Sequence, residues 1–377
     1  DWKAVGERYR ALVPHVAHRA DLNYVLGELQ GELSTSHAYV GGGDAPRAPR
    51  VEVGLLGADY ELDAASGLYR FRTIYRARDW NSDVEAPLGM PGVGVREGDH
   101  LLEVDGRAVR APENVFAAFV GTAGRQTRIK VGRSAGDSEA RTYTVKPVAS
   151  EATLRYTAWV DANREKVARA TGGRVAYVHV PNTATEGIQE FSKQYYPQAD
   201  RQGIIVDERF NGGGFIPDFF VERLRRNTLA YWSTRDGADF RTPSTAVDGP
   251  KCILINQYAG SGGDAFPHYF RLLGIGPLIG MRTWGGLVGI SHDLPLVDGG
   301  GITMPDFGMW DPYKGEWVIE NHGVDPDIEV ENRPELMVAG HDPQLERAIE
   351  WALGELAKNP PRKLPRPKYK VQEGLTR

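Results

Sequence analysis

Apolar residues recur along the 377-residue chain with three rhythms. In residues 1–33 the rhythm is helical. Leu22, Leu26, Leu29 and Leu33 fall at i, i+4, i+7 and i+11, and Asp21 stands where it can cap the helix. That stripe is expected to face a core. It runs through Ser34-Thr35-Ser36-His37-Ala38-Tyr39-Val40 into the breaker Gly41-Gly42-Gly43-Asp44-Ala45-Pro46, a boundary or loop. Residues 50–148 instead carry short runs with turn residues between them. Val51–Leu56, Leu68–Arg72, Thr127–Val131 and Thr142–Val145 predict strands, and Asn114–Val120 a helix. From about residue 150, strand and helix alternate. Strands are expected at Arg174–Val180, Gly203–Asp207, Lys251–Ile255, Pro277–Met281 and Leu287–Val297. Helices are expected at Thr185–Tyr196, up to Arg226, over Asp264–Leu273 and over Asp342–Ala357. This succession predicts α/β architecture with parallel crossovers.

Four segments follow: an N-terminal helical segment (1–45) carrying Ser36-His37, a β-rich module (46–148), an α/β domain (149–357) and a tail (358–377). The tail holds seven basic residues, one acid and four prolines, so it should be extended. It reads as a solvated tail or as an arm that docks on a neighbouring subunit.

Composition narrows the classes. The length calls for two or three domains. Hydrophobic content of 41% and charged content of 25% suit a soluble globular protein. A net charge of −5 gives no reason to expect nucleic acid or an anionic membrane as partner. No apolar run approaches membrane-spanning length. The chain starts at Asp1 and not at methionine, so a missing leader carries no weight. The single cysteine, Cys252, cannot form an internal disulfide; it reads as a core residue and favours the cytoplasm. The nine histidines form no H-E-x-x-H, and the His15/His18 pair has neither the spacing nor the acid of a zinc site. No metal or other cofactor is expected.

The chemistry concentrates at Asn256-Gln257-Tyr258-Ala259-Gly260-Ser261-Gly262-Gly263-Asp264, which joins the apolar run Cys252–Ile255 to an amphipathic stretch. Strand, glycine turn and helix put Ser261 at a helix N-terminus, where free backbone N–H groups point outward. Flanking glycines leave its hydroxyl unshielded. This is the logic of a nucleophile elbow, although the pattern is not G-x-S-x-G; a loop that merely caps a helix is the alternative. Asp264 falls in the first helical turn and suits the helix dipole. A serine nucleophile needs a base.

Sequence motifs supply the candidates. The run Val95-Arg96-Glu97-Gly98-Asp99-His100-Leu101-Leu102-Glu103-Val104-Asp105-Gly106-Arg107-Ala108-Val109 resembles the PDZ domains of proteases. The resemblance implies a groove that takes a peptide by strand addition, or a spacer of the same shape. Asn211-Gly212-Gly213-Gly214, Ala259–Asp264, Leu278–Gly286 and Gly323-Val324-Asp325-Pro326-Asp327-Ile328-Glu329-Val330 resemble the tail-specific peptidases. That implies a crotonase-like α/β domain with an inserted PDZ-like module. The lysine usual in those enzymes is missing: Thr283-Trp284-Gly285-Gly286 has glycine in its place. A related family, the tricorn proteases, uses histidine preceded by serine, upstream of the PDZ module, and Ser36-His37 stands there.

The resemblance then spans essentially the whole chain and is to the catalytic half of that family. The family's N-terminal β-propellers are not in this sequence, so the chain is expected to be a fragment. By resemblance, Ser261 is the nucleophile, His37 its base, Ser36 the hydroxyl that orients His37, and Glu320 the carboxylate that polarises Ser36, with Asp306, Asp311, Glu316 and Asp325 as rivals. Gly262 and a glycine of 212–214, assigned as Gly213, would form the oxyanion hole. Asp236 stands near the place of an acid that, in this family, reaches a neighbouring subunit's site and favours basic residues before the cut. The implied activity is a serine endopeptidase trimming proteasome-type peptides in a cytoplasmic homohexamer, with aminopeptidases downstream. The alternatives are a tail-specific processing peptidase and a non-catalytic PDZ scaffold.

Overall fold

A computed structural model describes residues 1–46, 48–76, 84–134, 136–361 and 365–368. Most of the tail expected to be extended therefore lies outside the described residues. The chain divides into two compact units, Asp1–Ala45 with Arg164–Arg377, and Pro46–Asn163.

The first unit opens with α1 (Trp2–Arg10), capped by Asp1, and α2 (Arg19–Gly31). The cap of α2 is His18. Asp21 is the third helical residue and completes a capping box, its carboxylate accepting from His18 N–H. The leucine stripe is less buried than expected: α2 ends at Gly31, which leaves Leu33 beyond the helix and exposed. The buried residues of α2 are polar. Arg19 pairs with Asp298, and Gln30 Nε2 donates to Thr303 O at 2.8 Å. After α2 the chain forms β1 (Val40–Gly42).

The second unit is an antiparallel β module. Its strands are β2 (Ala58–Asp63), β3 (Leu68–Ile74), β4 (His100–Val104), β5 (Arg107–Ala108), β6 (Thr127–Gly132) and β7 (Arg141–Val145), ordered β2-β3-β4-β6-β7 with β5 paired to β4. Leu56, Phe71, Leu88, Leu101, Phe119 and Ile129 fill its core. The strand expected at Val51–Leu56 does not form; it makes only isolated bridges, Val53 to Val120 and Leu55 to Val148. Gly54 explains why. A Cβ there would lie 2.2 Å from Thr122 Oγ1 and 2.6 Å from Pro147 Cβ, so the segment threads tightly between two others instead of joining a ladder. The helix expected at Asn114–Val120 is a 3₁₀ turn, Val115–Phe119, capped by Asn114. The unit boundary falls inside α3 (Ala152–Thr171).

The rest of the first unit is built on a parallel sheet. In chain order it contains β8 (Val175–His179), α4 (Thr185–Tyr195), β9 (Gly203–Asp207), α5 (Pro217–Leu224), β10 (Ala230–Trp232), β11 (Phe240–Thr242), β12 (Lys251–Ile255), α6 (Gly262–Leu272) and β13 (Leu278–Gly280). Then come β14 (Gly289–Pro295), β15 (Gly300–Phe307), β16 (Trp310–Asp311), β17 (Glu316–Trp317), β18 (Ile328–Glu329), α7 (Pro334–Val338) and α8 (Pro343–Lys358). The five-stranded order is β18-β13-β12-β9-β8, with parallel neighbours throughout. Both faces are covered, so β8, β9 and β12 are buried end to end, and apart from His179, Asp207 and Lys251 at their ends their runs are apolar rather than alternating. Phe191, Phe220, Phe266 and Phe270 dominate the packing against the sheet.

Two consequences position the site. The carboxyl ends of β9 and β12, where ligands of parallel sheets bind, lead directly into the glycine loop 211–214 and the serine turn. A separate antiparallel sheet, β1-β15-β14, pairs Val40 with Ile302. It clamps the segment that carries His37. Thr303 Oγ1 donates to His37 O at 2.5 Å and accepts from Tyr39 N–H at 2.7 Å.

Candidate active site

Ser261 links β12 to α6 with φ 57° and ψ −117°, a conformation that side-chain-bearing residues rarely adopt. Its N–H donates to Gly286 O at 2.9 Å, and its hydroxyl makes no cap bond to the helix. The neighbouring glycines are dictated by contact. A Cβ on Gly260 would lie 2.5 Å from Trp284 Cε3, and one on Gly262 would lie 2.0 Å from Thr183 Oγ1 and 2.3 Å from Gly214 O.

The glycine loop lies against this turn: a Cβ on Gly213 would meet Ser261 Cβ at 2.7 Å. Gly213 has an acceptor for its N–H within the loop. Its N–H is already given to Asn211 Oδ1 at 2.9 Å, and Gly212 N–H to Pro181 O at 2.9 Å. The N–H groups of Gly214 and Gly262 have no acceptor among the described residues. Of the glycines at 212–214, Gly214 is the one whose N–H has no such acceptor among the described residues. Thr183 holds this loop, donating to Gly213 O at 2.8 Å and accepting from Ile216 N–H at 3.0 Å.

His37 and Ser261 line one cavity of about 460 Å³, with no direct hydrogen bond between them. Gly214, Gly262, Phe215, Tyr269, Leu287 and Met309 also line it. Ser36 Oγ lies 3.1 Å from His37 Nδ1 and donates to Glu320 Oε2 at 3.1 Å, while Ser36 N–H donates to Glu320 Oε1 at 2.7 Å. The four rival acids are engaged or placed elsewhere. Asp306 accepts from Ser291, Asp311 from Tyr313 and Lys314 N–H, Asp325 pairs with His322, and Glu316 is exposed on β17.

Proton counting fixes the tautomer. The Ser36 hydroxyl has one proton and gives it to Glu320, so it can only accept from His37. Nδ1 then carries the imidazole proton and Nε2 keeps its lone pair. Burial holds His37 below its usual range, partly offset by the Glu320 charge. The Trp284 ring, 5.4 Å away at 61°, and the Tyr39 ring at 6.2 Å supply apolar edges around it. For Glu320, burial pushes the pKa up, but N–H donors from Val288, Ser36 and Leu287 with the Ser36 hydroxyl outweigh it, so the carboxyl titrates below its normal range. Non-glycine residues with positive φ cluster here: Ser34, His37, Phe210, Ser261, Ile319 and Asn321 all belong to these segments.

Residues 174–330 match peptidase family S41, residues 54–150 the tricorn protease PDZ domain, and residues 1–31 the tricorn protease C1 domain. Over 358 residues the chain is 38% identical to the tricorn protease of Thermoplasma volcanium, covering 93% of this chain and 34% of that protein. Over 362 residues it is 40% identical to tricorn protease homolog 1 of Streptomyces coelicolor, covering 96% and 33% respectively. The crystal structure of the tricorn protease superposes with a TM-score of 0.87 at 35% identity, covering 94% of this chain and 34% of the other. The chain is a homologue of the C-terminal half of the tricorn proteases, with a stretch at 174–330 that matches peptidase family S41. It spans about a third of the length of the curated relatives it matches.

Beneath the candidate site lies a polar layer that sequence reasoning missed. Asp264 does more than meet a helix dipole. It is fully buried, and its Oδ1 accepts from Thr283 Oγ1 at 2.5 Å and Gly285 N–H at 2.8 Å, which ties the nucleophile helix to the 283–286 segment. Glu208 is also fully buried; burial first, then the charges of Asp264 and Asp207, push its carboxyl well above the normal range. On the other face of β9, buried Arg209 is bidentate to Asp207 and to Asp342, the cap of α8. The signal was present in the sequence: three charges, Asp207-Glu208-Arg209, directly follow an apolar run. Asp236 lies between β10 and β11, exposed and outside the cavity wall. Among the described residues no group of three potential metal ligands occurs, and no helix there is long and apolar enough to cross a membrane.

Proposed function

We propose that this chain hydrolyses peptide bonds through a covalent acyl-enzyme on Ser261. The observation that carries the reading is the shared cavity of Ser261 and His37, with His37 backed by Ser36 and Glu320. Attack of Ser261 Oγ on the scissile carbonyl transfers its proton to His37 Nε2. The imidazolium that forms is stabilised through Ser36 by Glu320. Gly214 and Gly262 N–H groups receive the negative charge of the tetrahedral oxygen. Collapse expels the amine, which takes the His37 proton, and water then hydrolyses the acyl-enzyme by the same route in reverse.

The cavity wall beyond these groups is largely apolar, which suits an uncharged side chain beside the cut. Likeness to the tricorn family extends the proposal to short, proteasome-type peptides, to a closed homohexamer in the cytoplasm in which Asp236 of one copy serves another, and to aminopeptidases downstream. The tail-specific alternative lacks its lysine, and the scaffold alternative leaves a strained serine beside a backed histidine without a purpose.

Turnover of a fluorogenic peptide tests the reading. Ser261→Ala should abolish it, and His37→Ala should reduce it almost as far. Unchanged turnover in Ser261→Ala sinks the serine mechanism; peptide binding without cleavage by the unaltered protein favours the scaffold.

A further inference from the structure

A second cavity of about 580 Å³ adjoins the catalytic one, and Phe307 and Gly308 belong to the walls of both. Its other walls include Leu33 just beyond α2, Val288, Met304 on β15 and Trp317 on β17. Gln30, buried, fixes the α2 side by donating to Thr303 O. Leu33, Met304 and Trp317 are 49%, 44% and 75% exposed, an apolar cluster left open to solvent. Such clusters mark binding surfaces. The one charged residue on the wall, Asp306, is engaged by Ser291 N–H and hydroxyl. The cavity also touches the catalytic relay. Thr35 precedes Ser36, and Val288 N–H is one of the donors to Glu320.

We propose that this cavity is a second subsite for the peptide, taking an apolar side chain a few residues from the bond that is cut. The inference rests on the catalytic reading above, because continuity with that site is what names the occupant. In an extended peptide, side chains two residues apart point the same way about 6.6 Å apart. A chain lying across Phe307 therefore sets one side chain in the catalytic cavity and another beyond the ring. Apolar walls with one engaged acid favour leucine-like or aromatic residues and disfavour acidic ones.

The test is digestion of a defined peptide mixture, with cleavage sites and initial rates read by mass spectrometry. The unaltered protein should prefer Leu over Asp by about 10-fold or more in kcat/KM at one position not adjacent to the cut. Met304→Asp and, separately, Leu33→Asp should bring that preference to within about 2-fold. The two variants come from different segments, and continued cleavage of the mixture shows that each is folded. Indifference at every position beyond those flanking the cut overturns the subsite, as does a preference that persists in both variants. Failure of the catalytic reading looks different: no peptide is cut, or cutting survives Ser261→Ala.

Discussion

Ser36 and Glu320, 284 positions apart, are joined twice, backbone N–H to Oε1 at 2.7 Å and hydroxyl to Oε2 at 3.1 Å. The double contact fixes the carboxylate relative to the Ser36 backbone as well as the hydroxyl. It also leaves the hydroxyl facing His37 as an acceptor. Removing either group should therefore damage catalysis without removing the base. Ser36→Ala and Glu320→Gln should each lower kcat by about 10² to 10⁴-fold with a smaller change in KM. Steady-state kinetics on one peptide checks this, and an unchanged kcat in both variants would show that the relay is idle.

The pH profile follows from His37. The base must be neutral, so kcat/KM should rise with pH through the His37 titration. Burial places that titration below the ordinary value of about 6.5. Glu320 titrates below its own normal range, so the relay is already ionised across this window and the acid limb belongs to His37. The Glu320 charge pulls the His37 pKa up; Glu320→Gln removes that pull, and the limb of the residual activity should move to lower pH. A limb that moves upward or stays in place contradicts the electrostatic link.

Gly262 offers a steric test of the proposed oxyanion site. Its missing Cβ leaves room for Thr183 Oγ1 and Gly214 O. Gly262→Ala must push the glycine loop away from the serine turn, and kcat should fall by about 10² to 10³-fold. Gly67→Ala is the control, a turn glycine in the other unit with no heavy atom near its Cβ position; its positive φ makes any cost one of stability and not of turnover.

Glu208 should make stability depend on pH in an unusual direction for a carboxyl. Its folded pKa is raised, so between the unfolded value near 4.3 and the folded one the native state holds a proton that the unfolded state releases. Stability should fall as pH rises through that window, by up to about 1.4 kcal/mol per pH unit for one proton. Glu208→Gln should flatten the dependence and raise Tm at neutral pH, by about 1–2 °C per kcal/mol recovered. Melting curves from pH 4.5 to 7.5 decide this; parallel curves for the two proteins would contradict it.

How far the chain discloses this architecture depends on whether a feature is local. Gly203–Asp207 and Lys251–Ile255 form strands with the bounds their apolar runs predict, because a strand buried on both faces needs no partner pattern to be recognised. The serine turn is visible as a short motif for a similar reason, whereas Ser36-His37 is singled out only by resemblance to the tricorn proteases. Gly213 against Gly214 is different: three consecutive glycines look alike, and only the Asn211 side chain, folded back on Gly213 N–H, separates them. Ala58–Asp63 alternates strictly, with Asp59, Glu61 and Asp63 between Ala58, Tyr60 and Leu62, a strand signal that contains no apolar run, and it pairs with β3. Its neighbour Val51–Leu56 has the stronger strand composition and is kept out of a ladder by the close approach at Gly54. The meeting of Arg209 with Asp342, 133 positions on, is likewise a product of tertiary packing that no spacing encodes.

In the proposed mechanism Ser261 becomes a nucleophile because His37 takes its proton. The most direct measurement is covalent capture with a fluorophosphonate, followed by intact-mass and peptide mapping. One adduct should form, on Ser261, at a rate that rises with pH as His37 deprotonates, slowed by at least about 10²-fold in His37→Ala and lost in Ser261→Ala. An adduct on another residue, or labelling of Ser261 at an equal rate without His37, would contradict it.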